Sequence, residues 1–144
     1  MIDEVTPALN KMLREMKPTR INKRLFKIAG QVKNDIHNRT ISSKDYREST
    51  FKPYNPAYAK YRTKRNKPAR VTLSFTGAML GSMTIKKIAK GAAIYFSDTA
   101  ERLKGGYHHF GEGKMPKRAF FELSKKNINY AYKELGKPII KAMK

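Results

Sequence analysis

Residues 83–97 read MTIKKIAKGAAIYFS, and the fold turns on how this stretch pairs with itself. Two apolar, β-prone runs, MTIKKIA and AAIYFS, flank Lys90-Gly91, where glycine supplies the positive φ of a tight turn. An antiparallel hairpin is expected. Upstream, Val71, Leu73 and Phe75 alternate with Thr72 and Ser74, a period-two pattern that predicts a half-buried strand. Between them, Thr76-Gly77 opens AMLGSM, read as roughly two helical turns with Met79, Leu80 and Met83 inward.

Helical signals lie on both sides of this β region. Thr6-Pro7 is a helix start, and Leu9, Met12, Leu13 and Met16 follow at helical spacing until Pro18 stops the run. From Thr19 the pattern restarts, and Ile21, Leu25, Ile28, Ala29, Val32 and Ile36 form one apolar stripe through RINKRLFKIAGQVKNDIHNR. Arg20, Lys23, Arg24, Lys27, Lys33 and Arg39 fall mostly on the other faces, where they read as a solvated surface. His37 lies beside the stripe and reads as a surface histidine. Downstream, Asp98 and Glu101 form a capping-box pattern, so DTAERLK should make one or two turns that Gly105-Gly106 ends. Ser124 caps a last helix in which Ile128, Ala131, Tyr132 and Leu135 share a face and Gly136 and Pro138 kink or interrupt the chain.

These signals together predict an α+β fold. A small antiparallel sheet containing the hairpin packs against a long N-terminal amphipathic helix and a C-terminal helix. A chain of 144 residues fits one domain, since a domain of that length removes roughly two-thirds of its surface from water. Residues 40–70 break the periodicity with three prolines, four tyrosines and a basic tail, the pattern of a long basic loop that is either functional or disordered. Within that loop, Asn55 before Pro56 can cap a short helix, AYAKYR, that sets Tyr58 and Arg62 on one face.

Charge narrows the partners. Lys and Arg number 32 against 11 Asp and Glu, so the formal charge is +21, and a compact state that repels itself calls for an anionic partner. Nucleic acid, an anionic membrane and an acidic protein surface all fit. Without cysteine there is no disulfide or thiolate metal site, and MIDEVTPALNKM lacks the apolar run of a signal peptide, so a cytosolic chain is expected. No stretch approaches a membrane span.

The stretch YHHFGEGKMPKRAFF at 107–121 carries the histidines that chemistry would use. Adjacent residues in extended chain point to opposite faces, so His108 and His109 cannot easily share an ion, and Gly111 and Gly113 argue against a helix there. The carboxylates are scattered, the serines lack a nucleophile elbow, and no phosphate-binding glycine loop is present. No catalytic, cofactor-binding or metal-binding residue is assigned. The stretch reads as a seam in which a strand and turn lead into the final helix: Gly111 and Gly113 supply special backbone geometry, Pro116 an extended approach, and Phe110, Phe120 and Phe121 buried contacts. The histidines are expected to make structural hydrogen bonds.

Three segments in order, FKPYNPAYAKYR at 51–62, LSFTGAMLGSM at 73–83 and YHHFGEGKMPKRAFFELS at 107–124, resemble the tailed-phage virion morphogenesis, or tail completion, proteins. Their order and spacing carry the resemblance, which spans most of the chain from about residue 20. It falls on Pro53, Pro56, Tyr58, Ala59 and Lys60, on Thr76, Gly77, Leu80 and Ser82, and on His108 or His109 with Phe110, Gly111, Pro116, Arg118 and Phe120. This chain departs at His109, where glutamine is expected, and at Ala119, where many relatives have a second proline. The resemblance implies a non-enzymatic phage or prophage protein that completes the head-proximal end of the tail and readies it to join the head. Its partners would be tail and head-tail connector proteins, its state a homo-oligomeric ring in the virion neck, and its place of assembly the bacterial host cytoplasm.

Lys60, Arg62, Lys64, Arg65, Lys67 and Arg70 are the expected contact face toward acidic neighbours or packaged DNA. The same cluster, interleaved with Tyr58 and Tyr61, supports a rival reading as a small nucleic-acid-binding protein. A third reading, a metal nuclease using His108 and His109, requires metal-dependent cleavage of DNA.

Overall fold

The structure, a computed structural model, describes residues 5–144, with side chains from residue 10 onward except that of Met143. The expected cap at Thr6 and the inward face of Leu9 therefore lie outside the described residues. In chain order the elements are α1 (Val5–Glu15), α2 (Pro18–Ile41), α3 (Pro56–Thr63), α4 (Ala78–Gly81), β1 (Met83–Ile88), β2 (Gly91–Phe96), α5 (Thr99–Phe110) and α6 (Lys125–Met143). The architecture is α+β: a two-stranded antiparallel sheet with the long helix α2 and the C-terminal helix α6 packed against it.

The expected antiparallel hairpin forms, with its connection one residue earlier than Lys90-Gly91. Met83 pairs with Phe96, Ile85 with Ile94 and Ile88 with Gly91, so Ala89 and Lys90 make a two-residue connection. This register puts Met83, Ile85, Ile94 and Phe96 on one face, because residues directly opposite each other share a side and alternate residues repeat it. That face meets α2, whose Ile28, Ala29, Val32 and Ile36 are buried at three-and-four spacing. Gly91 has φ of +139°, and a Cβ there would sit 3.3 Å from Leu25 on α2. Glycine therefore serves both the turn and the close approach of the helix.

Pro18 does two jobs. It ends the run of α1 and opens α2 as a first-turn proline, a position whose N–H would lack a helical partner in any case. Glu15 clips the two helices together through Arg20, at 2.7 Å, and Arg24. α1 then packs along α6, which Ser124 starts with a reciprocal cap: its hydroxyl accepts from Asn127 N–H, and the Asn127 side chain accepts from Ser124 N–H. α6 runs through Gly136 and Pro138 to Met143 without the expected interruption. Ala131 and Leu135 face the core as expected, whereas Ile128 and Tyr132 stand exposed on the rim of a groove of about 600 Å³ between α2, β2 and α6.

Three local expectations are corrected. Residues 71–75 form no strand, since Leu73 takes φ of +50° and the backbone groups bond side chains instead of a ladder. Tyr54 hydroxyl receives the Leu73 N–H, Ser43 donates to Val71 O, and Arg62 donates to Ser74 O. Val71, Thr72 and Leu73 are consequently buried in succession rather than alternately. α4 is one turn, not two, because Met83 already belongs to β1. Gly105-Gly106 does not end α5. Gly105 lies inside it where the rings of Phe96 and Phe120 approach, 3.2 and 3.6 Å from where a Cβ would be.

The long connection from residue 40 to 70 is tied to the body at several points. Tyr46 N–H donates to Ala119 O, Ser43 hydroxyl donates to Val71 O, and Phe51 is buried, while the Lys44–Thr50 bridge and the Asp45 carboxylate, which accepts from Arg47 and Ser49 N–H, order the segment internally. α3 forms as the Asn55-Pro56 signal predicts, with the Asn55 side chain accepting from Ala57 N–H.

Candidate functional site

The 107–121 stretch departs from a strand and turn. His108, His109 and Phe110 are the last turn of α5, and Gly111, at φ of +72°, caps it in the left-handed conformation. A Cβ on Gly111 would lie 2.5 Å from Lys117 N, so only glycine lets the returning chain pass this close. Arg118 N–H then donates to His108 O at 2.8 Å and fastens that return. Phe120 is fully enclosed and Phe121 partly so, but Phe110 is 65% exposed and is no part of the core. α5 opens with Asp98 accepting from Glu101 N–H, while the Glu101 carboxylate pairs with Lys104.

The two histidines take separate roles. His109 Nδ1 accepts from Phe121 N–H at 3.3 Å, and its Nε2 lies 3.5 Å from Glu122, the structural bonding expected of it. Burial lowers its pKa, while Glu122 pulls it up and Lys117 down. His108 Nδ1 is buried without a hydrogen-bond partner among the described residues. Burial, and then the charge of Arg118, push the His108 pKa down to about 4, so it is neutral at pH 7. Among the described residues, no three His, Asp or Glu side chains gather as a metal ion requires.

Three arginines brace the irregular half of the molecule, and the sequence pattern hid the roles of Arg39 and Arg62. Arg62, expected on the contact face, is 1% exposed. Its Nε donates to Pro68 O and its Nη2 to Thr72 hydroxyl and Ser74 O, which ties the end of α3 to the following chain. It leaves the contact face for that reason. Arg118 donates from Nε to Lys52 O and from Nη2 to Pro53 O, joining the third motif to the first. Both guanidinium groups lie against the Tyr54 ring, at 4.9 and 5.1 Å from its centre. Arg39, expected on a solvated helix face, is likewise buried and donates to Asn127, to Phe120 O and to Glu122 O. Burial lowers the Arg39 pKa, with Asp35 opposing. Charge-assisted donors of this kind are stronger than neutral ones, and they replace the ladder that the region lacks.

All three resemblance-bearing segments meet on one cleft of about 480 Å³. Tyr54, Asn55 and Tyr58 come from the first, Leu73 to Met79 from the second, and His108, Met115, Pro116 and Arg118 from the third. Pro56 opens α3, Thr76 hydroxyl accepts from Ala78 N–H, Gly77 takes φ of +86°, and Leu80 is buried beneath. Glu101, Lys104 and Lys114 complete the wall. Lys104 and Lys114 carried no signal in the sequence, because nothing in their spacing tied them to Arg62.

The rest of the basic cluster sits outside. Lys60, Lys64, Arg65, Lys67 and Arg70 are exposed. Arg65 lies over Tyr61 at 3.8 Å and Lys67 over Phe75 at 5.9 Å, while Arg70 reaches Ile41 O at 3.4 Å. Tyr58, Tyr61 and Phe75 stack in series, at 6.0 and 5.9 Å between ring centres. Among the described residues no helix is long and apolar enough to cross a membrane. Compared with family models, curated proteins and solved structures, the chain matches none of them.

Proposed function

We propose that this chain is a non-enzymatic assembly protein of a tailed-phage or prophage virion, acting at the head-proximal end of the tail through protein-protein contacts. One observation carries the reading. The three segments that resemble tail completion proteins, distant in sequence, converge on a single cleft, and its two buried guanidinium groups, Arg62 and Arg118, are engaged in holding loops rather than poised over a reacting bond. Exposed apolar side chains supply contact area beside it: Leu103, Tyr107 and Phe110 form one stripe on α5, and Met115 adjoins them. In this reading the protein sits in the virion neck as a homo-oligomeric ring, meets tail and head-tail connector proteins, and is assembled in the host cytoplasm. The exposed cations at 60, 64, 65, 67 and 70 face acidic neighbours or packaged DNA.

The test is complementation. A phage lacking the protein should yield unjoined heads and tails by electron microscopy, and the intact chain supplied in trans should restore joined, infectious particles. Normal particles in its absence would overturn the reading.

The stacked Tyr58, Tyr61 and Phe75 beside five exposed cations favour a second reading, a nucleic-acid-binding protein. It requires DNA affinity near physiological salt that falls steeply with log salt and drops on neutralising Lys64, Arg65 and Lys67. Negligible DNA binding by a protein that purified tails retain would end it.

A further inference from the structure

The cleft holds two buried guanidinium groups that no carboxylate among the described residues neutralises. Arg62 and Arg118 are 1% and 4% exposed, yet among the described residues no carboxylate lies within ion-pair distance of either. Buried charges are ordinarily paired, since removing an unpaired ion from water is expensive. Here carbonyl oxygens and the Tyr54 ring take that role, and they satisfy donors without cancelling charge. Nη1 of each guanidinium makes no protein hydrogen bond among the described residues. Lys104 and Lys114 stand on the same wall, and the one acid there, Glu101, is already paired with Lys104. With four cations against one acid, a concave site focuses the field of the excess charge into the opening.

The walls are also rich in carbon. Tyr54, Tyr58, Phe75, Met79 and Met115 line the cleft, and Lys114 and Met115 continue it into a second hollow against Tyr107. We propose that the cleft receives an acidic segment of a partner protein, seating one carboxylate above Arg62, Tyr54 and Arg118 near Lys104 and Lys114, with a neighbouring apolar side chain of that segment on Met115 and Tyr107. A peptide fits the shape better than a nucleic acid. Duplex phosphates stand on convex ridges and meet exposed cations, such as those at 64–70, whereas a cavity of about 480 Å³ suits a side chain and its flanks. The inference rests on the assembly reading for the identity of the partner, and on the cleft alone for its chemistry.

The test uses the full chain and three fluorescent probes. One is a peptide with Glu-Leu-Glu-Glu-Leu in a Gly-Ser frame, the second its Gln counterpart, and the third an oligothymidylate of equal charge. The Glu peptide should bind at physiological salt and the Gln peptide should not. Reversing two exposed charges together, Lys104→Glu with Lys114→Glu, should weaken the Glu peptide about tenfold, against little change for Lys64→Glu with Lys67→Glu. Amide shifts should map to 76–79, 104–108 and 114–118, and the His108 ring, which titrates at about 4 unliganded, should titrate higher when a carboxylate lies over Arg118. Shifts gathered at 60–70, equal losses from the two charge reversals, or an oligothymidylate that displaces the peptide from the cleft would each overturn the proposal. Failure of the assembly reading looks different. Virions that form normally without the protein would remove that reading and leave peptide binding intact, whereas a cleft variant that complements fully while losing peptide binding removes only the cleft proposal.

Discussion

Between α2 and the hairpin, backbone groups satisfy one another in helix and ladder, and the side chains supply apolar bulk at regular intervals. Residues 42–76 and 111–124 work the other way. Apart from α3 and the Lys44–Thr50 bridge they have little regular structure, and the side chains of Arg39, Arg62, Arg118, Ser43 and Tyr54 reach across to bond the backbone themselves. The first region needs only a generic apolar residue at each inward position. The second needs particular donors of particular length.

That contrast sets the order of expected damage. Arg62→Ala should be the most severe, destabilising by about 4 kcal/mol in urea unfolding, because it strands the carbonyls of Pro68 and Ser74 as well as removing a buried stack on Tyr54. A loss below about 1 kcal/mol would mean that the irregular half is held by something else. Next comes Gly111→Ala, at about 3 kcal/mol, since it combines a left-handed φ with a Cβ 2.5 Å from backbone. Gly113→Ala sharpens the point. It has φ of +63° but open space around it, so about 1 kcal/mol is expected from conformation alone.

Acidity should produce an effect between those of the two glycine changes. His108 titrates at about 4 in the folded protein and near its ordinary 6.5 unfolded, so between those values the unfolded chain binds more protons. The contribution is therefore complete above pH 6.5 and is lost as pH falls toward 4. It should amount to about 2 kcal/mol after allowance for the solvent that reaches the ring, and the stability curve of His108→Gln should lack this limb. Least of all, Lys64→Glu and Lys67→Glu should each change stability by less than about 0.5 kcal/mol while altering any salt-dependent binding, which would separate the outer cations from the enclosed Arg62.

The periodic half was legible in the sequence for a physical reason. The stripe from Ile28 to Ile36, the hairpin about Lys90-Gly91 and the caps at Asn55, Asp98 and Ser124 are local signals, each decided by residues a few positions apart. The braced half was not. Arg62 stands in a run of cations and Arg39 on a helix face among lysines, so nothing local tells a buried guanidinium from a solvated one. The strand expected at 71–75 failed because its alternation was real but its backbone partners were side chains from Ser43, Tyr54 and Arg62. In the same way a glycine pair at 105 and 106 resembles a helix end, whereas Gly105 makes room for Phe96 and Phe120 inside α5. The site is half visible: Tyr58, Gly77, His108 and Arg118 stand out in the sequence, but their meeting with Lys104 and Lys114 is a matter of distant contacts.

The arginine braces have one more consequence. Their main-chain acceptors are the oxygens of Lys52, Pro53, Pro68, Ser74, Phe120 and Glu122, and a carbonyl is the same whichever side chain its residue carries. The giving end of each bond is fixed by chemistry while the receiving end is free to drift. Proteins built in this manner can keep one shape through extensive change in their loops, so kinship among them is better sought in where three long cations stand than in how the letters between them read.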